Sequence, residues 1–164
     1  MKYIYLIILS SFLFTGCENK VKPVEISKTA EGNQMGYDSV LAAKYGADQY
    51  GMKSYVMAFL KAGANREVDP VKANELFVKH MENIQRMAEN GELILAGPFF
   101  DSGDLKGIYI FNVTTIEEAE ALTKTDPAIA SGHLEMELHQ WYGSAALMGV
   151  NDVHNLLTKT DILE

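Results

Sequence analysis

The segment Lys53–Lys61 is apolar on both parities: Tyr55, Met57 and Phe59 alternate with Val56, Ala58 and Leu60 between two lysines. Successive side chains of a strand point to opposite faces, so a strand of this kind cannot leave one face in water. Any sheet that contains it needs cover on both sides. Its aromatic and aliphatic residues favour the extended chain, and Lys61-Ala62-Gly63-Ala64-Asn65 supplies the break that ends it.

The elements that follow provide cover for one face. Asp69 stands before Pro70 as a helix N-cap before a first helical residue, a position where the missing amide hydrogen of proline costs nothing, and Asn90-Gly91 closes the same segment. Within it Leu76, Phe77, Ile84 and Met87 recur at helical spacing. His80 falls four residues after Leu76 and four before Ile84, so an ionisable ring is aimed inward. Strands are predicted over 92–96, running into Gly97-Pro98, and over 106–113, joined through Asp101-Ser102-Gly103-Asp104 as a hairpin. Thr115 and Glu118 form a capping-box pattern, opening a helix that carries Ile116, Ala119, Ala121 and Leu122 and stops at Asp126-Pro127. A fourth strand alternates Leu134, Met136 and Leu138 with His133, Glu135, Glu137 and His139.

The order β-α-β-β-α-β predicts an α+β, ferredoxin-like fold: a four-stranded antiparallel sheet with two helices on one face. Those helices leave the other face bare, and strands one and three are apolar on both parities. A homodimer packed sheet against sheet is therefore expected, with the tail from Ser144 to Leu157 forming a short helix over an edge and Trp141-Tyr142 at the dimer seam.

Ahead of this domain, Met1-Lys2 leads into a run of mostly apolar residues from Tyr3 to Phe14. The run has the length of a secretory signal and is too short to span a membrane comfortably. Phe14-Thr15-Gly16-Cys17 resembles the bacterial lipoprotein box, although Phe14 replaces the usual aliphatic residue. The expected organisation is a signal peptide over 1–16, a lipidated N-terminus, spacer and pre-domain segment over 17–52, the domain over 53–142 and a tail over 143–164. Residues 37–50 contain Val40, Leu41 and Tyr45, enough for a short helix before Gly46. Acyl chains on Cys17 would hold the protein at a bacterial envelope membrane, facing the periplasm or the exterior. Cys17 is the single cysteine, which excludes an intramolecular disulfide. The formal charge of −8 becomes −9 when Lys2, the one charged residue of 1–16, is removed. Such a surface repels nucleic acid and anionic headgroups.

Few residues carry chemistry. A histidine on an inward helical stripe is either a buried structural residue or a functional one that titrates near neutrality. His133 and His139 share a strand face about 20 Å apart, too far for one metal, and read as solvated. The sequence has no HExxH, paired CxxC or EF-hand pattern, so neither a metal nor a cofactor is expected. Arg66, just before the first helix of the domain, could meet a substrate carboxylate or phosphate at a pocket mouth; a surface salt bridge is the plainer role. Met52, Met57, Met81, Met87, Met136 and Met148 read as adaptable core filler.

The stretch Tyr55 to Tyr142 resembles the YCII-related proteins, a family of small bacterial dimeric α+β barrel proteins. The resemblance rests on an ordered set: the first strand leading to Gly63-Ala64-Asn65-Arg66, then His80, then Asn90-Gly91-Glu92-Leu93-Ile94-Leu95-Ala96-Gly97-Pro98, and Asp126-Pro127-Ala128-Ile129-Ala130-Ser131-Gly132. It covers a little over half of the chain. The family has no common established reaction; a few relatives are associated with dehydrochlorination of chlorinated hydroxyquinol-type rings, and the wider superfamily includes monooxygenases, isomerases and haem proteins. The resemblance implies a site built from His80 and Asp126. Asp126 would fix the tautomer of the ring, the other ring nitrogen would act as a base, and Gly97-Pro98 would shape the backbone near the pocket. A helix-ending aspartate that caps its own Asp-Pro turn is the alternative role for Asp126. The implied partners are a second copy of the chain, an unidentified small organic molecule and, through Cys17, a membrane.

Overall fold

The expected breaks and caps are where the chain turns. In the computed structural model, which describes residues 36–66 and 69–160, Asp38 caps a short helix α1 (Ser39–Tyr45), and Gly46 ends it at φ +67°. The signal segment, Cys17 and most of the spacer lie outside the described residues. Strand β1 (Met52–Ala62) leads to helix α2 (Pro70–Glu89), whose first amides at Val71 and Lys72 are capped by the Asp69 carboxylate. Strands β2 (Leu93–Pro98) and β3 (Leu105–Phe111) form the hairpin. The Thr115–Glu118 capping box opens helix α3 (Ile116–Thr123). A single extra turn, α4 (Pro127–Ala130), precedes strand β4 (Leu134–Ser144).

The sheet is antiparallel throughout, in the order β2-β3-β1-β4, with β1 between its two partners. This is the ferredoxin-like arrangement. Facing positions of β1 and β3 separate the two faces cleanly: Val56 opposes Phe111 and Ala58 opposes Tyr109, whereas Met57 opposes Ile110 and Phe59 opposes Ile108. The first set is buried with Leu60, Leu93, Met87 of α2 and Ala119 of α3 as the main core. Fully burying side chains of this size is worth roughly 1.5–3 kcal/mol each, which makes this face the principal source of stability.

The second face is where the structure departs from expectation. Tyr55, Ile94 and Ile110 form a smaller core there, packed by Met57, Leu95 and Trp141 and also by Leu147 and Met148. The tail therefore does more than cover an edge. Ser144 caps a 3-10 turn (Ala145–Gly149) that lies on this face, and helix α5 (Val150–Leu157) follows it. The Asn151 amide donates to the Leu93 carbonyl of edge strand β2 at 2.9 Å. Trp141 packs within the chain against Tyr55, with ring centroids 5.8 Å apart and the planes tilted by 32°. The segment before β1 joins the same assembly: Lys44 pairs with Asp152 at 3.3 Å, and the Tyr142 hydroxyl donates to the Asp48 carboxylate, holding that carboxyl below its usual range. The described residues from Tyr37 onward thus belong to one compact unit.

One close approach explains a glycine. A Cβ on Gly63 would sit 2.1 Å from the Gly132 carbonyl oxygen, and the Gly63 amide donates to the His133 carbonyl at 2.8 Å. Backbone meets backbone here, joining the end of β1 to the turn that precedes β4. Gly132 itself adopts φ +74°, a conformation natural to glycine.

Candidate functional site

Helix α2 meets the core along one stripe. Asn83 and Met87 are buried, Leu76, His80 and Ile84 are partly buried, and residues 70–75 stand in solvent. Phe77, grouped with the apolar stripe by spacing, is 54 % exposed because its position falls on the shoulder of the helix. His80 is on the stripe, and its side chain is 13 % exposed. Its partner comes from the start of α4. Asp126 is fully buried, and its Oδ2 accepts from His80 Nδ1 at 2.6 Å. Its other oxygen, Oδ1, accepts from the Ala128 amide at 2.8 Å and so caps the turn. The two roles that sequence reasoning set against each other are both filled, one by each oxygen.

The hydrogen-bond network assigns the tautomer. An ionised carboxylate only accepts, so Nδ1 of the neutral ring carries the proton and Nε2 the lone pair. Tyr109 adds a second constraint from β3. Its hydroxyl donates to His80 Nε2 at 3.4 Å, and the two rings lie nearly parallel with centroids 6.4 Å apart. Burial, and secondarily the Asp126 carboxylate, push the Tyr109 phenol far above its ordinary range, so it remains a donor. The contact is longer than the 2.5–3.0 Å range of good hydroxyl bonds, which leaves Nε2 only weakly engaged.

A second set of bonds positions Asp126. Buried Asn83, one turn after His80, places its Oδ1 3.0 Å from Thr125 Oγ, and Arg86 Nη2 donates to both, at 3.0 and 3.1 Å. Arg86 also reaches Glu92 at 3.3 Å. This network ties α2 to the residue immediately before Asp126.

Beside the pair lies a cleft of about 180 Å³ lined by Ala73, Leu76, Phe77, His80, Ala128, His133 and Leu134. His133 was expected on the wet face of β4. The structure corrects this: it precedes the strand, reaches the cleft wall, and places its Nδ1 2.9 Å from Ser131 Oγ. Only His139 is on the wet face, beside Glu137 at 2.9 Å. The other expected contacts are not brought to the cleft. Gly97 and Pro98 end β2, where they pair with Ile108 and Gly107 of β3, and Arg66 is exposed and has no ion pair among the described residues. No group of three His, Cys, Asp or Glu side chains among the described residues is placed to hold a metal ion.

Sequence reasoning missed Tyr109, Asn83, Ser131 and His133. Tyr109 was within reach, since it shares a parity with Phe111 and so faces the helices. Asn83 lies three residues after His80 on the same stripe. The other two depend on a turn that periodicity does not encode.

An α+β domain with a histidine–aspartate pair at an apolar cleft is the class defined by this fold and site. The model of the YCII-related domain matches residues 55–142, and the chain belongs to that family. It is 32% identical over 62 residues to the uncharacterized protein YjpA of Bacillus subtilis (strain 168), spanning 38% of this chain and 71% of that protein. It also aligns with the solved 5-chloro-2-hydroxyhydroquinone dehydrochlorinase of Burkholderia phenoliruptrix AC1100 in complex with 2,5-dihydroxybenzoquinone. That alignment has 14% identity and a TM-score of 0.40, and covers 52% of this chain and 92% of the enzyme.

The two jobs of Asp126 are separable by substitution. Asp126→Asn keeps an oxygen for the Ala128 amide but turns an NH2 donor toward His80, which should move the ring proton to Nε2 while the fold persists. Asp126→Ala removes the cap and the ring partner together and should cost about 2–4 kcal/mol in urea unfolding. Ring nitrogen shifts in ¹⁵N NMR check the first expectation; an unchanged tautomer in Asp126→Asn would refute the assignment.

Proposed function

We propose that this domain binds a small, mostly apolar organic molecule in the cleft, with His80 sharing or accepting its acidic proton. The observation that carries this reading is the 2.6 Å bond from His80 Nδ1 to a fully buried carboxylate at the wall of an apolar cleft. A buried carboxylate is costly unless it is fully paired, and here it holds one ring in one tautomer. The size also suits the reading, since an apolar cavity of about 150 Å³ accommodates benzene.

A second reading, general-base catalysis on a phenolic or enolisable substrate, is favoured by the same tautomer. With Nδ1–H held by Asp126, Nε2 is the nitrogen that would receive a proton, and Tyr109 contacts it too loosely to compete strongly. The purified protein should bind phenol saturably in calorimetric titration, and His80→Ala should weaken that binding roughly tenfold if recognition is the whole function. If His80 is a base, the same variant should stop turnover of an enolisable substrate by two orders of magnitude or more while binding persists. Unaltered binding and unaltered turnover in His80→Ala would dispose of both readings.

The site is proposed to work at a bacterial envelope. The support is the sequence of 1–17: a short positive start, an apolar run and a cysteine in a lipoprotein-like setting. No helix among the described residues is long and apolar enough to cross a membrane. Cys17→Ser should therefore move the exported protein from the membrane fraction to the soluble one; retention on membranes would argue against lipidation.

Pairing into a dimeric barrel is proposed through the second sheet face. The 3-10 turn covers the Tyr55–Ile110 end, while Phe59 and Ile108 farther along that face remain partly exposed. A second copy would cover them. Light scattering of the soluble mature domain at micromolar concentration should return twice the mass of one such chain, and a monomer would contradict the pairing.

A further inference from the structure

The tail helix is turned inside out. At about 100° per residue, Val153, Leu156 and Leu157 of α5 fall within one arc of roughly 100°, and Asn151 lies on the opposite side. A surface helix ordinarily lays such an arc on the core of its own domain. Here the polar side chains do the docking. The Asn151 amide donates to the Leu93 carbonyl of β2, and Asp152 pairs with Lys44 of α1 at 3.3 Å. The apolar arc points away from the domain, with Val153, Leu156 and Leu157 exposed by 55 %, 85 % and 78 %. Helix α1 packs beside the start of α5, where a Cβ on Gly149 would meet the Tyr45 hydroxyl at 2.7 Å, and adds the exposed Tyr37 and Val40 to the same end of the domain.

We propose that this face rests on a lipid bilayer of neutral, zwitterionic headgroups, with the apolar arc of α5 at the boundary between headgroups and acyl chains. The inference rests on the reading of Cys17 as a lipid anchor. The chain enters the domain at α1, and Tyr37 follows Cys17 by 20 residues, a length that spans about 70 Å at most. A lipid on Cys17 therefore makes contact between the bilayer and this end of the domain an intramolecular event, at an effective concentration that lets a small patch suffice.

Size and charge choose the occupant. Three side chains of an eight-residue helix offer on the order of 300 Å² of apolar surface. A standard protein interface takes about 800 Å² from each partner, so the patch is too small to hold a second copy by itself. The arc holds no lysine or arginine, and the chain carries a formal charge of −8, which repels anionic headgroups.

The test uses the full lipid-modified chain in phosphatidylcholine vesicles. Lipid on Cys17 blocks its sulfur, so Leu156→Cys supplies the one thiol for a fluorescent label, at a side chain exposed enough to spare the fold. Phe100→Cys is the control, since Phe100 is 97 % exposed at the β2–β3 turn, beside the end of β1 remote from α1. A label at 156, about 5–10 Å into the headgroup–acyl boundary, should be quenched severalfold more by nitroxide-bearing phospholipid than a label at 100, and shielded from aqueous iodide. Replacing part of the phosphatidylcholine with phosphatidylglycerol should weaken the lipid quenching; a stronger effect would overturn the choice of neutral lipid. Vesicle-bound protein whose label at 156 is as open to iodide as the label at 100 overturns this inference alone. Shielding from iodide without quenching by the nitroxide lipid means that protein covers the face, and overturns the membrane assignment. A chain that does not float with the vesicles refutes the lipid anchor, and this inference with it.

Discussion

A carboxylate with no solvent exposure must find all its stabilisation in the protein, and Asp126 finds it at two places that the rest of the site depends on. Removing such a group from water costs several kcal/mol, offset only when both oxygens are well bonded. One oxygen takes the Ala128 amide and the other takes the His80 ring. α4 has four residues, too few for cooperative helix formation to hold it, so its geometry relies on the cap and on packing. The same ion therefore shapes one wall of the cleft and orients the ring on the other. Asn83, Thr125 and Arg86 repeat the connection one turn along α2, and the Gly63–Gly132 backbone contact ties the wall to the sheet.

The two faces of the sheet meet the demand set by β1 in different ways. The helical face is closed by α2 and α3, whose inward residues complete a continuous core with β1, β2 and β3. The opposite face is closed in part by the chain's own tail. Leu147 and Met148 lie over the Tyr55–Ile94–Ile110 cluster, so the apolar parity that pointed to a partner is partly met within one chain. The segment before β1 braces that tail through Lys44–Asp152 and Tyr142–Asp48. Peripheral segments by sequence are structural ones in space.

Local signals made most of the fold legible. Asp69-Pro70, Asn90-Gly91 and Thr115–Glu118 each act within a few residues, and each marks an element boundary where the caps and the left-handed glycine now stand. Parity gave the two-faced sheet, and helical spacing put His80 on the inner stripe. What was not legible depended on contacts between distant segments. Trp141 packing on Tyr55, the tail on the second face, and Gly97-Pro98 serving the β3 pairing rather than the cleft are all set by register and packing. His133 escaped because strand alternation was extended one residue too far. The turn at Gly132 resets the direction of the chain just before β4, and the ring turns with it.

The position of the cleft follows from where α2 leaves the sheet. From Leu76 onward the helix is anchored by its stripe, but residues 70–75 project past the core and stay exposed. The gap beneath that overhang is bounded by α4 and the start of β4, and alanine at 73 and 128 leaves its walls thin. Larger residues there would fill the space with apolar contacts and add stability. The chain instead keeps a cleft beside a buried carboxylate, and cleft and carboxylate are both unfavourable for a residue set selected on stability alone. Their coincidence at one place, with Tyr109 holding the far side of the same ring, is the physical ground for treating His80 as more than a satisfied core histidine.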